Sequence, residues 1–509
     1  MKSENIRKNK IIFVEPYWGH NAVNTPGIAN LRGFLRSKGI KSDVINFNKI
    51  LDNRKKVSNT DYKKLLSNYI EKKINSSDIA KKESCVMSDL FNLGPVAVID
   101  AVNKIDFFEE IFKKHCSKLL NFEYIGISVS FSWQLVFSLI LSKYIKENTK
   151  EKIKIILGGS FITLHHKDLV VLFKNNPTID YLIIGEGETP LWKLIKKNKL
   201  NEVPNLIYLK GGSYKCAKNL NHFEDITMLP VPIFETGDAL YIRATRRCYW
   251  GKCAYCTLDK NKITGNILTK SPEQVMEDIK RLGVLAGDQK IFVFVDNALP
   301  IPFLRKFCQK IIKEKRNRHS NYSFIAYLRP EKSLDYETLR LAKEAGFIKL
   351  KFGIETFIPR LSRLLNRGID TKNTLEIIKI CFKLKLSIDL YSMVGLPTQT
   401  EQELKIDLNS VLFLAKKYHL IIKKFQVLPF RLEEGSIMYY NPSQYNIKPL
   451  YDQKKYLSRT VPFKQLKRGA ISSEEAWLMY ENFYSKNKDI FINFDGFKPF
   501  FWKDLERNI

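Results

Sequence analysis

Three cysteines lie close together in Arg247-Cys248-Tyr249-Trp250-Gly251-Lys252-Cys253-Ala254-Tyr255-Cys256-Thr257. Thiolates are soft ligands for iron and zinc. Three on one short loop can take three corners of a metal cluster while the fourth stays open for chemistry. Two rival readings stay open beside this one. A structural zinc site could be completed by Cys308 or a histidine, since closed zinc sites take four ligands, or the thiols could carry no metal. Cys85, Cys116, Cys216, Cys308 and Cys381 are scattered at irregular spacing. In a long intracellular chain that pattern reads as reduced thiols rather than a disulfide framework.

The elements that must position this loop follow from the apolar pattern. Before residue 200 the chain reads as α/β: a strand at Lys10 to Val14, helical spacing of Ile28, Leu31, Phe34 and Leu35, and a strand at Val44-Ile45. Residues 51–120 turn polar and helical, with Leu65, Leu66, Tyr69, Ile70 and Ile74 on one stripe, and read as an insertion. The rhythm returns at Tyr124 to Ser130, at Ile153 to Leu157 before Gly158-Gly159-Ser160, and at Asp180 to Glu188. This gives a doubly wound, Rossmann-like domain over 1–200. Residues 201–238 then read as a hairpin around Gly211-Gly212 and a stiff linker at Leu229-Pro230-Val231-Pro232.

Over 239–440 strand and helix alternate six times, with strands near 239–244, 290–295, 322–327, 348–354, 387–394 and 421–428. Ser271-Pro272-Glu273-Gln274 and Thr400-Glu401-Gln402-Glu403 carry helix-start chemistry, and Gly346 a helix stop. The alternation predicts a partial (β/α)6 barrel of the TIM type, whose chemistry belongs on the loops after its strands. The cysteine loop follows the first strand. Residues 441–509 form a small C-terminal extension, with Trp477, Tyr480, Phe483, Phe500, Phe501 and Trp502 read as packing.

The cysteine loop, with Tyr255 before its last cysteine, resembles the cluster loop of radical S-adenosylmethionine enzymes. The family's usual spacing puts three residues between the first two cysteines, whereas this chain has four, Tyr249 to Lys252. Gly353-Ile354-Glu355-Thr356 with Leu364 to Gly368, and Val394-Gly395-Leu396-Pro397-Thr398-Gln399-Thr400-Glu401, resemble the family's fourth- and fifth-strand segments. The resemblance implies a 4Fe-4S cluster on Cys248, Cys253 and Cys256. It also implies S-adenosylmethionine held by Gly353, Glu355 and the backbone at Gly395, with Tyr255 by the adenine and Asp296 and Arg329 as further candidates.

The first domain resembles the cobalamin-binding domain that precedes many such barrels, on Ser128-Val129-Ser130, Gly158-Gly159 and Gly185-Glu186-Gly187-Glu188. This implies cobalamin near Ser128, Ser130, Gly158, Gly159, Gly185 and Glu186. The family's Asp-x-His-x-x-Gly element is absent after Val14, and His20 lies outside that pattern. The implied cobalamin therefore has no protein histidine as lower ligand. The resemblance covers about residues 10–440 and implies a radical enzyme, with methylation of an unactivated carbon of a small metabolite or peptide as the leading outcome. Rearrangement, ring formation, RNA modification or a non-catalytic cluster sensor stay as alternatives. A reducing partner such as flavodoxin or ferredoxin is implied.

The net charge of +31 raises the question of nucleic acid. Its distribution argues against it: residues 1–250 carry 39 basic and 25 acidic side chains, and the remainder 45 and 28. A binding surface would concentrate that excess. His165-His166 reads as a solvated pair without a metal role. No run of about 18 apolar residues and no apolar leader is present, so a cytoplasmic protein without membrane insertion is expected.

Overall fold

The computed structural model describes residues 9–16, 26–52, 107–149, 153–174, 177–235, 240–257, 267–285, 291–318, 322–450, 460–491 and 494. The chain separates into two compact units that divide after Asp238.

In the first unit, seven strands build one sheet in the order β2-β1-β3-β4-β5-β6-β7. These are β1 Asn9–Glu15, β2 Ser42–Asn46, β3 Phe122–Ser128, β4 Lys154–Gly158, β5 Tyr181–Ile183, β6 Leu206–Lys210 and β7 Ser213–Cys216. The first five are parallel, in the order of a doubly wound fold. The Gly211-Gly212 hairpin adds β6 and β7 antiparallel to its edge.

Because the side-chain period of a strand is two, consecutive residues of β1 feed opposite cores. Ile12 and Val14 join Phe137, Ile125 and Leu157. Ile11 and Phe13 join Ile28, Leu35, Leu191 and Ile156. With helices on both faces, the strands carry near-continuous apolar runs rather than polar alternation. The insertion expected over 51–120 lies mostly outside the described residues. Its end, the helix Phe107–His115, enters the first core through Ile111 and Phe112.

The second unit holds six strands paired in sequence order: β8 Leu240–Ile242, β9 Ile291–Phe294, β10 Ser323–Leu328, β11 Phe347–Glu355, β12 Ser387–Val394 and β13 Ile422–Pro429. All five pairings are parallel, and the sheet ends at β8 and β13 without closing. The expected partial barrel is therefore the fold.

Local chemistry sets its helices. Ser271 and Gln274 cap Pro272–Leu285 reciprocally. Thr400 and Glu403 form the capping box of Glu401–Tyr418, and Gly346 ends Tyr336–Ala345 in a left-handed conformation. One sheet face presents Phe294 and Phe324 to Phe307 of the helix Ile301–Arg318, edge to face at 5.3 Å in both cases. Each such buried side chain contributes roughly 1.5–3 kcal/mol. After β13 the chain adds short ladders and the helix Ser473–Lys486, where Trp477, Tyr480 and Tyr484 are buried. No helix among the described residues is long and apolar enough to cross a membrane.

Candidate active site

The cysteine loop leaves the sheet at β8 and is fastened before its first thiol. The buried Asp296 carboxylate, just past β9, accepts hydrogen bonds from the Ala244 and Thr245 amides and, at 2.8 Å, from the Thr245 hydroxyl. Asp296 thus holds the loop's entry in place. Burial raises its carboxyl above the ordinary range, and those donors oppose the rise.

Further along, the Ala254 amide donates to the Leu365 carbonyl at 2.9 Å and its carbonyl accepts from the Met438 amide at 2.8 Å. Ala254 sits in an apolar cluster with Leu361, Leu365, Leu396 and Met438. The loop is therefore stitched to the segments after β11 and β12. Cys248, Cys253 and Cys256 are half-buried free thiols.

Within the four-residue span between the first two cysteines, Trp250 seats on the segment after β11. Gly251 adopts φ +56°, and the Trp250 indole donates to the Asn366 carbonyl at 2.9 Å. Its ring covers Gly368 so closely that a β-carbon there would stand 2.2 Å from it. The Arg329 guanidinium lies 4.5 Å from the same ring centre. Arg329 also reaches 4.0 Å from the Cys253 sulfur and donates to the Arg367 carbonyl.

Glu355 ends β11 at φ +65°, beyond a register break against β12 that begins at Gly353. Its carboxylate accepts from the Tyr255 hydroxyl at 3.2 Å and pairs with Arg367 at 3.2 Å. Arg367 in turn donates to the Tyr255 oxygen at 2.8 Å and to the Gly353 carbonyl. Burial, and then the Glu355 charge, push the Tyr255 phenol well above its usual range. It stays protonated at physiological pH. Arg367 was not singled out in the sequence; the clue was a basic residue between Asn366 and Gly368, both of which take positive φ.

Gly395 takes φ +74° after β12. Its amide and that of Leu396 both donate to the Gln399 side chain, at 2.9 and 3.1 Å. The close approach that glycine permits is used by Ser473 and Ala476 of the C-terminal helix, 3.2 and 3.3 Å from where its β-carbon would be. Gln399 also donates to Asp407 at 2.9 Å, and Asp407 accepts from the Thr356 hydroxyl and the Phe357 amide at 2.8 and 2.6 Å. This buried carboxylate ties the loops after β11 and β12 together.

Burial lifts the Asp407 carboxyl to about 7. A folded-state value above that of the unfolded chain means stability fully present below about pH 4 and lost as the pH rises through about 7. In thermal unfolding, the wild-type advantage over Asp407→Asn is therefore expected to shrink from about pH 5 to about pH 8. A constant difference would show that this group does not titrate there.

In the first unit, Ser128, Ser130, Gly158, Gly159, Gly185 and Glu186 gather at the carboxyl ends of the adjacent strands β3, β4 and β5. Gly159, at φ +107°, leaves room for the Val129 carbonyl, which would lie 2.4 Å from an added β-carbon. The Ser130 amide donates to Gln134 at 2.7 Å, and Gly185 donates to the Thr163 hydroxyl at 2.9 Å. The Glu186 carboxylate accepts from the Glu224 amide at 2.6 Å. Small side chains thus line the strand ends where doubly wound folds take ligands. The expectation of a solvated histidine pair is corrected in part: His165 is 1% exposed, its ring tilted against that of Phe161 with centres 4.5 Å apart. Helical spacing turns its face inward while His166 bonds Thr163. His20 lies outside the described residues.

Three of the other cysteines are buried. Cys308 is fully buried, and burial pushes its thiol up. Cys116 and Cys381 are likewise buried, their thiols raised to about 12. Among the described residues, no group of three or more Cys, His, Asp or Glu is placed to hold a single metal ion. Three half-buried thiols on one fastened loop fit a larger cluster. Glu355 offers an acceptor for an ammonium group, and the buried Arg367 Nε has no acceptor of its own.

The partial barrel with its three-thiol loop is the part of the chain that a family model matches. Residues 242–411 match the family model described as the Radical SAM superfamily. The match lies within the second unit and takes in the cysteine loop. The chain is 21% identical to an uncharacterized methyltransferase of Pyrococcus horikoshii, over 65% of this chain and 72% of the relative. Its fold is similar to that of the radical S-adenosylmethionine methyltransferase TsrM from Kitasatospora setae, solved with cobalamin and a 4Fe-4S cluster bound. That match has a TM-score of 0.60 and 13% identity, over 92% of this chain and 84% of that one. The cobalamin-dependent S-adenosylmethionine radical enzyme OxsB, solved with aqua-cobalamin and S-adenosylmethionine bound, gives 0.62 and 14%, over 95% and 67%.

Proposed function

We propose that the protein is a cobalamin-dependent radical S-adenosylmethionine enzyme that methylates an unactivated carbon of a small metabolite or peptide. The observation that carries this is the three-thiol loop, locked after the first barrel strand to the Glu355-Tyr255-Arg367 group, in a chain that begins with a doubly wound domain. The methyltransferase names of similar proteins support the outcome.

Cys248, Cys253 and Cys256 hold the cluster. Glu355 accepts the ammonium group of S-adenosylmethionine, and Arg367 and neutral Tyr255 fix that carboxylate's orientation. Asp296 keeps the loop's entry rigid and Arg329 braces it through Trp250, while the backbone around Gly395 would help hold S-adenosylmethionine. Ser128, Ser130, Gly158, Gly159, Gly185 and Glu186 would border cobalamin at the strand ends. When bound, the cluster supplies the electron that breaks a carbon–sulfur bond of S-adenosylmethionine, and cobalamin carries the methyl group. Electrons come from a flavodoxin- or ferredoxin-type donor.

The test is an oxygen-free incubation of protein reconstituted with iron, sulfide and cobalamin, given methyl-labelled S-adenosylmethionine, a reductant and a small-molecule extract. Formation of 5'-deoxyadenosine together with label in a non-volatile product is expected. Deoxyadenosine without label transfer would replace methylation by rearrangement or ring formation. Neither product would overturn the proposal.

A further inference from the structure

The inner face of the barrel sheet carries charge where such barrels normally carry branched apolar side chains. Phe352, Leu390 and Phe425 lie on the buried face, so the intervening residues of β11, β12 and β13 line the other side. Strand register sets three of these in one row with Tyr327 of β10: Tyr327 pairs with Lys351, Lys351 with Asp389, and Asp389 with Lys424. Tyr391, one layer up, is opposite Gly353. The row therefore lies just beneath the Gly353 carbonyl that Arg367 grips.

The charges in this row do not balance. Asp389 is 2% exposed, and among the described residues its one ion pair is with Lys349 at 3.6 Å. That separation leaves its buried Oδ1 without a hydrogen bond. Burial raises its carboxyl, opposed by Lys349, Lys351 and Lys424. Lys351 stands 4.7 Å over the Tyr327 ring, which lies 6.0 Å from that of Tyr391. Among the described residues no carboxylate comes within ion-pair distance of Lys351 or Lys424. Three ammonium groups around one carboxylate, half-withdrawn from water, favour a further anion. The two tyrosine rings add an apolar, planar wall.

We propose that this inner face is the substrate site and that it selects a small molecule with an anionic group, carboxylate or phosphate, held by Lys351 and Lys424 with Tyr327 and Tyr391 against its apolar part. This rests on the radical SAM reading for the chemistry, whereas the binding stands on the row itself. The test uses full-length reconstituted protein and three probes, phenylacetate, phenyl phosphate and neutral phenylacetamide, with affinities measured by ligand-observed NMR titration. At least one anion is expected to bind about ten-fold more tightly than the amide. Lys351→Met and Lys424→Met should each weaken that anion about ten-fold. Preference between the two anions distinguishes a carboxylate site from a phosphate site.

Equal affinity for anions and amide in the wild type overturns the proposal whether or not the variants fold. So does undiminished anion binding in folded variants. Absence of iron and of 5'-deoxyadenosine alongside selective anion binding would refute the enzyme reading and leave the site standing.

Discussion

Cys253→Ala is expected to remove the iron centre and reduce S-adenosylmethionine cleavage to background while leaving the fold nearly intact. Cys253 is half-buried on a loop whose anchors are backbone bonds of Ala244, Thr245 and Ala254 and the Trp250 indole. None of those passes through the thiol. Losing one small side-chain atom there costs about 1 kcal/mol, whereas two remaining thiolates cannot hold a cluster that needs three. Cys308→Ala and Cys381→Ala make the contrast: both thiols are fully buried, so their loss lowers stability by about 1–2 kcal/mol and spares the iron. The checks are iron and sulfide content per chain, 5'-deoxyadenosine yield and thermal unfolding. A Cys253→Ala protein that keeps its iron would remove this residue from the centre.

Gly368→Ala carries the second large effect, because it attacks the loop from outside. The new methyl group would overlap the Trp250 ring, and the residue is held at φ +61°. Overpacking costs about 1–3 kcal/mol, and the left-handed conformation adds about 1–2 kcal/mol. Trp250 has to leave its seat. It then gives up the Asn366 hydrogen bond and the contact with Arg329, and the four-residue span between Cys248 and Cys253 loses its anchor. Iron content is expected to fall with stability. Gly469 is the control, since it has φ +76° with nothing within 4 Å of an added β-carbon. Gly469→Ala should incur only the conformational cost and retain iron. Equal iron loss in both variants would mean that Trp250 does not set the loop.

Much of this was legible in the residues. Six apolar strands separated by capped helices are a repeated local signal, and each strand's inner and outer faces obey a period of two. The first sheet announced itself through the same buried runs at β1, β3 and β4. The cysteines stood out by type and spacing, and the structure keeps all three half-buried and free on one loop. The fasteners did not, because each depends on contacts far along the chain. Asp296 reaches back to Thr245, and Trp250 seats on Gly368. Arg367 closes on Tyr255 and Gly353, and Asp407 meets Phe357 and Gln399. Single-sequence patterns carry no information about such pairings until register and loop paths are fixed. His165 was misread for a related reason: two adjacent histidines look polar, yet a helix turns neighbours about 100° apart, so one faced the core.

The three-thiol loop is tested most directly by electron paramagnetic resonance of the reconstituted, reduced protein with and without S-adenosylmethionine. About four irons per chain are expected, with a reduced-cluster signal that changes when S-adenosylmethionine is added because one iron is free to take it. A protein that takes up zinc in place of iron, or a cluster whose signal is indifferent to S-adenosylmethionine, would contradict an open iron held by Cys248, Cys253 and Cys256.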